Sequence, residues 1–528
     1  MDASGRRGLA AAAGVAAAAL GAGAGELLAS LFAPSSSPFA VIGGTLIDAA
    51  PAWAKDTAIA WFGTADKTAL LVGIGIVLLA LAAVAGIAEV RWSRSGVISL
   101  AAIGVAAGAL ALTRADAGML AWLPSVLAGA VAATALRMLV RSAPFAAGTA
   151  GSRGPAPQGA AHAESTASAP ETGPSRRSFL AWAGGTALVG VALGVAGAVT
   201  KAGSTAVSTV REALRLPRPA TPAPAVPPGA ALEVRGLTPL ITPNPDFYRI
   251  DTALIVPAVD PADWRLRIHG MVAHEVTLTW DELLAVPLTE RAVTLSCVSN
   301  PVGGDLVGTA VWLGYPIREL LQRAGVDADA DMVLSTSADG FTAGTPLEAL
   351  TDDRDALLAI GMNGEPLPQA HGFPVRMVVP GLYGYVSATK WVTDLEVTRF
   401  DRARAYWTDR GWSERGPIKL QSRIDVPRAG HAVDAGDAVI AGIAWQPGTG
   451  VSGVEVQIDD GPWERAELAS ALSDDTWVQW RMPWRAETGE HSIRCRAIAA
   501  DGTVQTDAEA PPAPDGASGR HTIIATVS

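Results

Sequence analysis

Cysteine is nearly absent: only Cys297 and Cys495 occur in 528 residues. That count excludes a disulfide framework and a structural zinc site built from four thiolates. Cationic residues are in deficit, with 40 Lys and Arg against 51 Asp and Glu and a net charge of −11. The deficit argues against nucleic acid as a partner, because phosphate binding needs clustered Lys and Arg. No GxGxxG falls within residues 232–400, and no P-loop is present to bind a nucleotide. The seven histidines are His162, His269, His274, His371, His431, His491 and His521. None falls in a long apolar run, so a membrane haem held by paired histidines is not expected. Disorder over most of the chain is excluded by an apolar content of 49%.

The apolar and charged residues are unevenly placed. Residues 1–200 carry 12 Lys and Arg against nine Asp and Glu, whereas the remainder has a net charge of −14. Five stretches are long and apolar enough to be expected to cross a bilayer: Leu9–Phe32, Thr68–Ala88, Gly96–Thr113, Ala117–Leu136 and Phe179–Thr200. Arg6, Arg7, Arg91, Arg94, Arg137, Arg141, Arg153, Arg176 and Arg177 all flank these runs on one set of alternating loops. By the positive-inside rule the N-terminus is expected in the cytoplasm and everything after residue 201 outside. Glu26 is the lone acidic residue within an expected span, where a charge reads by default as functional. The organisation read from this pattern is a membrane region over 1–141, a flexible cytoplasmic linker over 142–178 and a fifth span over 179–200. A Pro-rich spacer over 201–231 follows, then a body in two parts, 232–425 and 426–528. Pro-Ser-Arg-Arg-Ser-Phe-Leu at 174–180 resembles a twin-arginine export signal, used by proteins that fold and load a cofactor before export.

Residues 232–425 mix short strand-like runs with helical segments, an α+β pattern without a regular βαβ period. Thr279 ahead of Asp281 and Glu282 marks a helix start, and Tyr315–Ala324 reads as an amphipathic helix. Residues 426–528 differ: Ala438–Ala444, Val451–Ile458, Thr476–Met482 and His491–Ala499 alternate like strands between Gly-containing turns. That predicts an antiparallel sandwich of immunoglobulin-like size. Two clusters carry chemistry. TLSCVSNPVGGDLVG at 294–308 places Cys297 where a strand enters a Gly-rich loop with Ser299, Asn300 and Asp305. LPQAHGFPVRMVVPGLYGYVSATKW at 367–391 gathers His371, Arg376, Tyr383, Tyr385, Ser387 and Lys390, and its cations suit an anionic group such as a phosphate. Cys495, within the alternating run SIRCRAIA, reads as a core residue.

These blocks, together with GIAWQPGTGVSGVEVQIDDGPWERAEL at 442–468, resemble the sulfite oxidase family of molybdopterin enzymes over residues 232–528. The resemblance implies a fold: a molybdopterin-binding α+β domain followed by an immunoglobulin-like dimerisation domain, here preceded by an all-α transmembrane region of about five helices. It implies a molybdenum-molybdopterin cofactor with Cys297 as metal ligand and catalytic residue. By the same resemblance His371, Arg376, Ser387, Thr389 and Lys390 hold the pterin and its phosphate, and Asn244 and Tyr248 in TPNPDFYRID contact it. The chemistry implied is two-electron oxygen-atom transfer between the metal centre and a small oxyanion or an oxygenated sulfur or nitrogen compound. No haem is expected, so a separate electron-transfer partner is, along with the membrane and a possible homodimer. Asn300, Tyr385, Arg410 and Trp412 are candidates for the substrate pocket.

Two departures from the family pattern bear on substrate. Asn300 is followed by Pro301, Val302 and two glycines instead of arginines, and Gly448-Thr449-Gly450-Val451 stands where the family has Gly-Gly-Gly-Arg. Each lost charged hydrogen bond to a buried anion costs about 1.5–3 kcal/mol, which disfavours sulfite. A reductase of sulfoxides or N-oxides is the alternative on the same centre. A cysteine hydrolase using Cys297 with His371, and a non-catalytic membrane-displayed binding protein, are readings from other classes.

Overall fold

The computed structural model describes residues 3–32, 36–51, 54, 57, 61, 66–114, 117–144, 175–199 and 202–528. Most of the expected 142–178 linker therefore lies outside the described residues, as does Arg153. The chain forms two compact units, one of residues 1–206 with 253–255 and one of 207–252 with 256–528.

The first unit holds α1 (Ala3–Phe32), α2 (Pro38–Ala49), α3 (Asp66–Arg91), α4 (Ser95–Ala111), α5 (Leu123–Arg141) and α6 (Arg176–Val199). Four of them, α1, α3, α5 and α6, are long and apolar enough to cross a membrane, whereas α4 is a shorter apolar helix of 17 residues. The expected span Ala117–Leu136 is displaced towards the C-terminus. Its helix begins at Leu123 because Pro124, with a fixed φ and no N–H to satisfy, suits the first turn. Helix α2 was not expected. The Ser37 hydroxyl accepts from the Ala40 N–H at its start, and Glu26 Oε1 accepts from Ser37 Oγ at 2.7 Å and the Phe39 N–H at 3.3 Å. The lone carboxylate within an expected span thus caps a neighbouring helix, a structural use of its charge.

Small residues let these helices touch backbone to backbone. Gly14 meets the Ala82 carbonyl, Gly86 meets that of Ala10, Gly23 meets Gly190, Gly21 meets Ala128 and Gly104 meets Gly129. These pairings run α1 antiparallel to α3 and α5, and parallel to α6. Arg6, Arg7, Arg91, Arg94, Arg137, Arg141, Arg176 and Arg177 consequently sit at one end of the bundle.

The second unit begins earlier than residue 232. In the helix Ala202–Ala213, Val207 is buried with Phe247 and Trp312, and Arg211 donates to the Pro366 and Leu367 carbonyls. The Pro-rich segment, expected as a free spacer, runs along the body. The Ala220 N–H donates to Leu288 O at 2.8 Å, the Glu290 N–H donates to Thr221 O at 2.8 Å, and the Leu232 N–H meets Gln479 Oε1 at 2.7 Å. Proline removes donors but leaves carbonyls, so such a segment can still lie against a sheet edge.

Two sheets form the middle of this unit. One has the order Val276–Thr279, Arg265–Gly270, Val392–Thr398, Met332–Ser337, Thr342–Pro346, with Arg265–Gly270 and Val392–Thr398 its parallel pair. The other has the order Thr289–Ser296, Val307–Pro316, Leu357–Met362, Glu365–Pro366, with Arg376–Val378 also on Leu357–Met362. Thr279 and Glu282 form the reciprocal cap of the helix Trp280–Ala285, as expected from their spacing. The expected amphipathic helix forms over Ile317–Ala324.

The C-terminal region is β-rich. Gln421–Val426, Gly436–Trp445, Val478–Ala486 and Glu467–Leu468 form one sheet. Ala432–Val433, Thr522–Val527, Gly489–Ala499, Val451–Ile458 and Glu464–Arg465 form another. Ile440 and Trp480 of the first share an apolar cluster with Val454, Ile493 and Cys495 of the second. This region grips the strand Thr289–Ser296: the Thr294 N–H donates to Asp475 O at 2.9 Å, and the Trp477 N–H donates to Thr294 Oγ1 at 2.8 Å.

Burial and the nearby Asp355 carboxylate push the Asp475 carboxyl up to about 6. A carboxyl that binds its proton more tightly in the folded state stabilises below its unfolded value of 3.8 and loses that contribution as pH rises to about 6. Asp475→Asn is therefore expected to raise the denaturation midpoint at pH 8 and to leave it nearly unchanged at pH 4. Urea titrations of the solubilised protein at both values check this, and an equal shift at both would count against it.

Candidate functional site

Segment 381–390 brings Tyr383 and Lys390 to Cys297 at the end of the strand Thr289–Ser296, and segment 369–373 packs on Lys390 and Arg376. Cys297 follows the strand Thr289–Ser296 directly, as expected, and is 9% exposed. Its N–H donates to Leu306 O at 2.9 Å, and its carbonyl accepts from the Asn300 N–H at 3.1 Å. The Asn300 side chain accepts from the Leu306 N–H at 2.9 Å, so this residue closes the Cys297 loop. Burial pushes the thiol up, while hydrogen bonds from the Ser299 backbone and side chain, and then the charge of Lys390, favour the thiolate. Gly384 approaches the Ser296 carbonyl, which brings Tyr383 and Tyr385 to this side. Tyr383 is pushed up to about 12, first by burial, and senses the charge of Cys297.

On the cationic side, Lys390 Nζ donates to Asp251 Oδ2 at 2.9 Å and to Ala370 O at 3.0 Å. Arg249 meets the same carboxylate at 3.0 Å. Arg376 is buried over the Trp312 ring and donates to the backbone carbonyls of Met377 and His371. Burial lowers Arg376 to about 10 and Lys390 to about 8, although Asp251 counters both. His371 is held neutral, with a value near 3, by burial and then by Lys390 and Arg376. Its ring faces the Asn244 carbonyl and lies edge-on to Phe247, while its Nδ1 is buried without a hydrogen-bond partner. Gly372 adopts φ +109°, and a Cβ there would press on the Cβ atoms of Arg376 and Lys390. Glycine thus permits the close turn that brings His371 to these cations.

The remaining expected residues divide by what they touch. Asn244 opens a short 3-10 turn and is bonded to Asn363, while Tyr248 stacks on Phe247 and senses both Cys297 and Arg376. Ser387 is fully buried and donates to the Leu382 and Tyr383 carbonyls, and Thr389 is bonded to Ser335. Those hydroxyls are engaged in holding the 382–390 turn. Tyr385 donates to Ser413 O at 2.7 Å and packs on Trp412, whose neighbour is Trp407. Arg410 lies over the Tyr406 ring at 3.6 Å. Trp412 and Arg410 thus belong to one aromatic group extending from Tyr385. Cys495 is fully buried and pushed up to about 12, first by burial.

Asp251 and Arg249 were not singled out from sequence. Their partner Lys390 is far along the chain, so no spacing reveals the pair. The alternation Arg249-Ile250-Asp251, which puts both charges on one face, was the available sign.

The donor set fits a molybdopterin cofactor: a thiol for a soft metal, an orphaned imidazole nitrogen, and buried cations of which Arg376 is bonded to carbonyls rather than to a carboxylate. Residues 253–407 match the family model described as oxidoreductase molybdopterin binding domain. The chain is 31% identical over 320 residues to the sulfite oxidase of Gallus gallus, covering 51% of this chain and 69% of that protein. The mitochondrial sulfite oxidase of Mus musculus is also 31% identical, with 51% of this chain and 58% of that protein covered. The chain thus spans little more than half the length of that relative. It is 32% identical over 157 residues to the uncharacterized oxidoreductase YuiH of Bacillus subtilis, covering 30% of this chain and 76% of that protein. Among solved structures, the sulfane dehydrogenase SoxCD from Paracoccus pantotrophus aligns with a TM-score of 0.48 at 23% identity, covering 57% of this chain and 85% of that one.

Asp251→Ala would leave the buried Lys390 ammonium without its counter-ion, a change that costs about 3–5 kcal/mol when a buried pair is broken. Denaturation midpoints of the single variant and of Asp251→Ala with Lys390→Met check this. The double variant is expected to recover part of the loss, and equal losses would show that the pair is not the cause.

Proposed function

The chain belongs to the sulfite oxidase family of molybdopterin-dependent oxidoreductases, and from that premise we propose that it is a membrane-anchored extracytoplasmic enzyme of oxygen-atom transfer. The molybdenum-molybdopterin cofactor, when bound, supplies the two-electron chemistry. The observation that carries the reading is that the Cys297 thiol lies in the field of Lys390, which with buried Arg376 and neutral His371 forms one group. Cys297 would be the chain's thiolate to the metal, with Ser299 donating to its sulfur. Arg376 and Lys390 would bind the cofactor's phosphate, and His371 Nδ1, an acceptor while the ring's other nitrogen faces the Asn244 carbonyl, would accept from an N–H of the cofactor. Tyr383 keeps its proton at neutral pH, so its phenol can donate but carries no charge against an anion.

The substrate is a small oxygenated sulfur or nitrogen compound. Oxidation of a sulfur oxyanion is one direction. Gly448-Thr449-Gly450-Val451 and Pro301-Val302 bring no arginine to the pocket and favour a substrate other than sulfite, with reduction of sulfoxides or N-oxides the alternative direction. Electrons pass to or from a separate protein. The β-rich C-terminal region serves as an immunoglobulin-like dimerisation domain. The arginines at one end of the helical bundle support a cytoplasmic N-terminus, with residues after α6 outside. Arg176-Arg177 at the start of α6 then supports twin-arginine export of the loaded, folded body.

Metal analysis of protein purified from cofactor-replete cells is expected to give about one molybdenum per chain. Cys297→Ser is expected to lower turnover by more than about 100-fold in a screen of sulfite, sulfoxides and N-oxides. A metal-free wild type would remove the enzyme reading.

A further inference from the structure

The loop that follows Cys297 is held from outside by one buried arginine of the β-rich region. Arg423, 9% exposed, uses its whole guanidinium. Its Nη1 donates to Gly304 O at 2.8 Å, its Nη2 to Thr238 Oγ1 at 2.7 Å, and its Nε to Asp425 Oδ1 at 2.7 Å. The Thr238 N–H returns to Asp425 Oδ2 at 3.1 Å, which closes a ring between two segments distant in sequence, with the Gly304 carbonyl held from it. Beside it Gly303, at φ +78°, lies so close to the His521 ring that any Cβ would overlap it. His521 is itself fixed, since its Nδ1 accepts from the Ile424 N–H at 3.0 Å.

The ring is linked to the sulfur in short steps. Gly304 precedes Asp305 and Leu306, and Leu306 bonds both the Cys297 N–H and the Asn300 side chain. Within that closed loop Ser299 lies two residues after Cys297 and favours its thiolate. Gly303 and Gly304 have little preference of their own for one backbone conformation. Donors to a metal-bound sulfur tune its electronics, and the loop's shape sets where those donors point.

We propose that Arg423 is a positioning residue for Cys297: through the Gly304 carbonyl it sets the loop that aims Ser299 at the sulfur. This rests on Cys297 being the molybdenum ligand. It assigns the β-rich region a part in tuning that ligand, beyond any dimer contact.

The test compares full-length wild type, Arg423→Met, Arg423→Lys and the milder Thr238→Val, which removes one bond of the ring and keeps the guanidinium. In protein prepared without cofactor, the rate of iodoacetamide labelling at Cys297 is expected to rise roughly tenfold in Arg423→Met, as an unheld loop opens. Arg423→Lys and Thr238→Val should lie between, with Cys495 unlabelled throughout. In loaded protein, the thiolate-to-metal absorption band and the Mo(V) paramagnetic resonance spectrum should shift in the same order at unchanged metal content. kcat should fall by about ten- to a hundredfold with little change in KM. Unchanged labelling and spectra in Arg423→Met overturn the proposal. If that variant does not fold, unchanged labelling and spectra in Thr238→Val overturn it equally. A wild type that takes up no molybdenum overturns the function reading instead, and the labelling rates still decide whether Arg423 holds the loop.

Discussion

Positive charge buried in excess of negative charge is the constraint on which the site depends. Arg376 and Lys390 lie out of water with Arg249 beside them, and Asp251 is the carboxylate shared by Lys390 and Arg249. Arg376 donates to backbone carbonyls, which carry only partial charge. Burying a cation costs several kcal/mol unless it is paired, and the lowered values of both side chains record that cost. Burial, and then the same field, keep His371 neutral. Such an arrangement suits an anion, so in the proposed function a phosphate-bearing cofactor would contribute to the electrostatics of the folded unit as well as to its chemistry. Anything that binds only the folded state also stabilises it.

The thiol side is built on a different principle. Around Cys297 the neighbours are neutral donors and phenols: Ser299, Tyr383 and Tyr248. Burial pushes both phenols up, so they stay protonated near the sulfur. The site therefore divides into a cationic end, suited to the anionic part of a cofactor, and a neutral end, suited to a soft metal and a small substrate. The thiol ends one strand, Arg376 opens another, and Lys390 comes just before the strand Val392–Thr398.

Local pattern carried far into this fold. Strand alternation placed Val451–Ile458 without error, and the strands at Gly436–Trp445, Val478–Ala486 and Gly489–Ala499 to within a few residues. Cys297 at a strand end was equally legible, since the apolar run stops at Ser296 and the glycines follow. What sequence concealed was long-range. Asp251 meets Lys390 and Arg423 meets Gly304 across more than a hundred residues, and no periodicity reports such contacts. Also concealed was what the Ser387 and Thr389 hydroxyls touch: they bond within and against the turn that carries Lys390. The Pro-rich segment misled because composition describes an isolated chain, whereas here the edge of the strand Thr289–Ser296 was available to receive it.

That last correction bears on how the two units are joined in sequence. A free spacer would let the body fold well after its span. Instead, residues soon after α6 are already part of the body: Val207 is in its core, Arg211 holds the Pro366 and Leu367 carbonyls, and Thr221 pairs with Thr289. Leu367 and Pro366 immediately precede the turn bearing His371. The segment that follows α6 is thus packed on the segment that carries the cationic end of the site. A body assembled in this way around a cofactor is one that gains from folding before it crosses a membrane, which is the route that the paired arginines at the head of α6 serve in the proposed function.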